Sequence, residues 1–83
     1  MTPYKYHIRL SGKDKQVLRA LTRAWKTARC VADRARIVLW TAAGIAVDEI
    51  ARRLEMHRST AINWRRWYLE RRAAGLSVEE SLQ

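Results

Sequence analysis

DEIARRLEMHRSTAINWRRWYLERR, residues 48–72, is the stretch whose reading decides the fold of this 83-residue chain. Behind the acidic pair Asp48 and Glu49, which suits the positive end of a helix, Ile50, Ala51 and Leu54 fall at helical spacing. Glu55, Met56 and His57 break the period and read as a turn. A longer period follows from about Arg58 to Ala73, with Ala61, Trp64 and Tyr68 at i, i+3 and i+7 and Gly75 as the stop. A short helix, a tight turn and a longer basic helix together make the helix-turn-helix pattern.

At about 100° per residue, the side of the longer helix opposite that apolar stripe carries Ser59, Ile62, Asn63, Arg66 and Glu70. Such a face suits the DNA major groove. Asn63 can pair bidentately with adenine and Arg66 with guanine, while Ile62 can touch a thymine methyl. The base-reading set is therefore Ser59, Ile62, Asn63 and Arg66, with Arg58, Thr60 and Arg65 on the flanks where side chains meet phosphates. The blander reading makes Ile62 a hydrophobic rim or a dimer contact. It leaves Arg52, Arg53, Arg71 and Arg72 solvated, and Trp67 lies off the stripe with several equally open uses.

The chain is strongly basic: seventeen Lys and Arg against eight Asp and Glu, for a net charge of +9. That balance favours a polyanionic partner. The excess lies away from the motif. Residues 1–40 hold ten basic and two acidic residues, whereas residues 41–83 hold seven and six. Affinity is expected largely from the amino-terminal half, where Lys13, Lys15 and Arg19 are candidate phosphate contacts.

Outward from the motif, Tyr4, Tyr6, Ile8 and Leu10 alternate with Lys5, His7 and Arg9, the period of an extended arm with one buried face. No second strand is visible. The arm either lies on the helices or pairs with its copy in a homodimer. Ser11 is the expected cap of a first helix running to about Trp25, with Val17, Leu18, Leu21, Ala24 and Trp25 on its apolar side. Thr27 is the expected cap of a second, from Ala28 to Ala43, burying Val31, Ala35, Val38, Leu39 and Ala42, with Gly44 as its stop. Ser77 and Glu80 form a capping box for a short last helix. This divides the chain into an arm (1–10), a helix-turn-helix domain (11–76) and a short capped tail (77–83).

Several function classes are disfavoured. Cys30 is the single cysteine, which fits a reducing compartment and reads as a small buried side chain. No signal peptide or membrane span is apparent, and the longest apolar run is interrupted by Gly44. His7 and His57 lack neighbours at metal-ligand spacing. The carboxylates Asp14, Asp33, Asp48, Glu49 and Glu55 lack the long separations of a two-metal nuclease site. No metal, cofactor or small-molecule site is expected, and no catalysis.

RARIVLWTAAG (34–44), DEIARRL (48–54) and RSTAINWRRWYLERRAAGL (58–76) resemble the amino-terminal helix-turn-helix of bacterial insertion-sequence transposases of the mariner-like superfamily. The likeness runs from about Ile8 to Leu76. It implies an all-α, homeodomain-like bundle of four helices with a short fifth and an extended arm, a domain that recognises terminal inverted repeats. Catalysis in that family belongs to a separate metal-dependent domain, absent from this chain. The family pattern has Ser or Thr at 46, Gly at 55, Ser at 57 and Val at 61, where this chain has Ala46, Glu55, His57 and Ala61. Past Leu76 the family continues through a Pro- and Arg-rich linker, and this chain has SVEESLQ.

The resulting expectation is a sequence-specific binder of double-stranded DNA, either a transposon-end-binding domain or a small regulator that reuses the module, cytoplasmic and nucleoid-associated. The competing class is a protein-interaction module, a homodimer or adaptor, using the arm and exposed Trp40, Ile62 and Trp67. RNA binding is the third class, weakened because the aromatic residues sit mainly at helical core spacing.

Overall fold

Ser11 opens the helical part of the chain, its Oγ accepting the Asp14 backbone N–H at 3.1 Å. The computed structural model describes residues 8–83. Five helices follow: α1 (Gly12–Arg23), α2 (Arg29–Ala42), α3 (Val47–Leu54), α4 (Arg58–Ala73) and α5 (Val78–Ser81), with no strand among the described residues. The all-α, four-helix reading with a short fifth helix holds. Tyr4 and Tyr6 of the expected arm lie outside the described residues. Ile8 is buried and Leu10 packs beside it on the helices.

Two apolar clusters organise the molecule. The larger joins Ile8, Leu18 of α1, Ala35 and Val38 of α2, Tyr68 of α4, and Val78 and Leu82 around α5. The smaller joins Ile37 of α2, Val47, Ile50 and Ala51 of α3, and Ala61 of α4. Thus α2 and α4 contribute to both, and α3 is held only by the smaller one. Ala61 has no exposed surface, so the small side chain at this position lets α4 approach α2 and α3 closely.

Five sequence expectations need correction. α1 ends at Arg23, not near Trp25, because Ala24 turns extended (ψ 121°) and starts the connection to α2. Trp25 keeps helical spacing in the sequence but lies past the end of α1 and is 88% exposed. Thr27 does not cap α2; the cap position is Ala28, with no side-chain hydrogen bond. Cys30, in the first turn of α2, is exposed rather than buried. Trp40, Ile62 and Trp67, expected exposed under the protein-interaction reading, are partly buried.

The tail is well seated. Ser77 Oγ accepts the Glu80 backbone N–H at 3.1 Å, and Glu80 Oε1 accepts the Ser77 N–H at 3.1 Å, the reciprocal capping box. These bonds hold the Glu80 carboxyl below its usual range. Beyond them, Arg34 donates to the Leu82 carbonyl at 2.9 Å, and Arg71 donates to the Gln83 carbonyl at 2.7 Å. Both guanidiniums also lie over the Trp64 ring, at 3.7 and 5.6 Å from its centroid.

Candidate nucleic-acid interface

The turn between α3 and α4 sets the direction of the candidate reading helix. Glu55 closes α3 in the left-handed region, at φ 53° and ψ 48°. Its N–H and that of Met56 return to carbonyls of Arg52 and Ala51, at 3.3 and 3.0 Å. The backbone therefore makes, with a side chain in place, a turn of the kind that glycine enters most readily. His57 then precedes α4 in an extended conformation without a side-chain cap. In place of a cap, Arg58 Nε reaches Asp48 Oδ1 at 2.7 Å and ties the starts of the two helices together.

On α4, Ala61 and Tyr68 are buried. Trp64 is half-covered, packed edge-to-face on Trp67 at 5.0 Å between centroids. The opposite stripe is not idle. Asn63 Oδ1 accepts from Arg66 Nη2 at 3.3 Å, and Arg66 Nε lies 3.8 Å from Glu70. Asn63, Arg66 and Glu70 thus form one surface chain, three and four residues apart, in which the amide and the guanidinium hold each other. Ser59 is exposed beside them. Ile62 departs from expectation: it is partly buried and packs against the smaller cluster, at the edge of the stripe rather than on its crest.

The other candidate positions scatter. Thr60 and Arg65 are partly buried on the flanks of α4. Lys15 and Arg19 share one side of α1 and border a shallow groove with Leu10, Leu39 and Trp40. Lys13 lies elsewhere, beside Asp14, Arg72 and Glu79 near α5. The three α1 cations therefore do not form one patch.

Most arginines of α3 and α4 are engaged. Arg52 and Arg53 both donate to Glu49, their Nε atoms at 3.0 and 2.8 Å from its oxygens, and these bonds hold the Glu49 carboxyl below its usual range. Arg72 Nη2 meets Asp14 at 3.1 Å and joins α4 to α1. Next to that pair, burial and the Asp14 charge push the Tyr68 phenol up, with Arg72 opposing them. The Tyr68 hydroxyl itself has no hydrogen bond of good geometry. The roles of Arg34 and Arg71 around Trp64 were missed in the sequence, where their partners lie far along the chain or on the backbone.

Among the described residues no group of three His, Cys, Asp or Glu is placed to hold a metal ion. No helix among the described residues is long and apolar enough to cross a membrane. A model of the homeodomain-like domain family matches residues 31–77, from α2 through the start of the tail. Neither the curated proteins nor the solved structures include a match to the chain.

Proposed function

Because the chain belongs to the homeodomain-like family of helix-turn-helix DNA-binding domains, we propose that α4 reads a specific double-stranded sequence from the major groove, in the manner of a transposon-end-binding domain. Asn63 and Arg66 are the principal base readers in this proposal, with Ser59 beside them and Ile62 contacting a thymine methyl from the edge. Arg58, Thr60 and Arg65 meet the flanking phosphates, and Lys13, Lys15 and Arg19 supply longer-range attraction.

One observation carries the reading. Asn63 and Arg66 sit on the side of α4 opposite buried Ala61 and Tyr68, with Arg66 Nη2 donating to Asn63 Oδ1 at 3.3 Å. A bidentate amide and a bidentate guanidinium one turn apart are the two side chains that read adenine and guanine. The resemblance of residues 34–76 to insertion-sequence transposases favours terminal inverted repeats as the target class, over a regulatory operator.

The test is selection of bound sequences from a random duplex library, followed by measurement on the selected site. Asn63→Ala and Arg66→Ala should each lose about 1–3 kcal/mol there and relax preference at a single base position. If both variants lost affinity equally on selected and unrelated duplexes, the assignment of base reading to this face would be wrong.

A further inference from the structure

From Lys15 to Ala32 the chain carries five cations, Lys15, Arg19, Arg23, Lys26 and Arg29, and no carboxylate. All five are exposed. Lys15, Arg19 and Arg23 recur every fourth residue along α1, and Lys26 stands beside Trp25 in the connection to α2, its Nζ 5.5 Å from the indole centroid. Arg29 makes only a long contact to Asp33, at 3.9 Å, with 88% of its side chain exposed. This tip precedes the matched residues 31–77.

Trp25 stands apart from the other three tryptophans. Trp40 and Trp64 are partly covered and lie under arginines, and Trp67 packs on Trp64. Trp25 is by contrast 88% exposed, and it stands at the end of a cationic row. We infer that the α1–α2 tip binds a single DNA strand, with Trp25 stacking on an unpaired base and the α1 cations following the strand's phosphates.

Two points favour this partner. Stacking on an aromatic side chain needs a bare base face, which single strands present and a closed duplex hides. A membrane surface fits poorly, because an interfacial helix needs an apolar outer face. Here the outer face of α1 carries Gln16, Arg19, Ala20 and Arg23. The inference rests on the DNA reading of α4 only in placing the unpaired strand next to the duplex that α4 holds.

The experiment compares the full chain with Trp25→Ala and Trp25→Phe, using an oligo(dT) strand of about 16 nucleotides and a blunt random duplex at low salt. Oligo(dT) should quench tryptophan emission of the parent protein. Trp25→Ala should bind that strand about tenfold more weakly and lose the quench, while Trp25→Phe recovers most of the affinity. Duplex affinity should stay within about twofold in all three. Unchanged oligo(dT) binding by Trp25→Ala, or equal losses on strand and duplex, would overturn the inference. So would displacement of oligo(dT) by polyglutamate as readily from Trp25→Ala as from the parent. If the parent ignored duplex but gripped oligo(dT) through Trp25, the reading of α4 would fail and the inference about the tip would stand.

Discussion

The cations of α1 and its following loop differ sharply from the arginines of α3 and α4. Arg52 and Arg53 share Glu49, Arg58 holds Asp48, Arg66 lies between Asn63 and Glu70, and Arg72 holds Asp14. By contrast Lys15, Arg19 and Arg23 make no ion pair among the described residues, and Lys26 meets only the Trp25 ring. One half uses its charge to position the helix-turn-helix, while the other leaves its charge open. Net charge therefore understates the difference: an arginine already paired must exchange one partner for another on binding DNA, and a free one simply releases counterions.

The largest test of this contrast sets Arg34 against Arg19. Arg34→Ala removes the donor to the Leu82 carbonyl and the guanidinium stacked on Trp64, and should cost about 2 kcal/mol of stability in urea unfolding. Arg19→Ala should move stability by less than about 0.5 kcal/mol. It should instead lower the slope of log affinity against log salt by about one, on every duplex alike. Comparable stability losses in the two variants would erase the distinction between cations engaged in the fold and cations left open for binding.

A smaller effect is expected at the turn. Glu55 holds a left-handed conformation that costs a residue with a side chain about 1 kcal/mol. Glu55→Gly should relieve this at some cost in unfolded-chain entropy, for a net gain of about 0.5 kcal/mol in unfolding experiments. A loss would mean that the Glu55 side chain contributes to the turn.

The smallest effect concerns acid. Glu80, held below its usual pKa by its bonds with Ser77, stabilises α5 above the ordinary carboxylate range. That contribution fades as pH falls from about 4.5 through the lowered value. Glu80→Gln should therefore shift stability near neutrality more than in acid, seen as converging thermal midpoints on acidification. Equal differences at both pH values would detach the carboxylate charge from the cap.

Much of the fold was legible because helical period and caps are local. Ser11, Ser77 and Glu80 identified their helix starts, and the α3–turn–α4 boundaries came within a residue. What failed was non-local. Ala24 and Trp25 continue the period of α1 in sequence, yet the backbone turns extended at Ala24 and leaves Trp25 in solvent. Ile62 looks outward on a single-helix wheel, but the smaller cluster reaches it from α3. The candidate site was half legible: the pairing of Asn63 with Arg66 follows from spacing, whereas Arg34 finds Leu82 across 48 residues and Arg72 finds Asp14 across 58.

The division of α4 between two clusters has a mechanical consequence. Its later turns are bolted at Tyr68 to the larger cluster, with α5, α1 and Ile8 behind them. Its first turns rest at Ala61 on a pad supplied by one eight-residue helix and Ile37. Fewer buried contacts mean a lower free energy for local opening. The helix is a cantilever, clamped at the far end and sprung at the tip, and the sprung tip is the end that carries Ser59, Ile62 and Asn63.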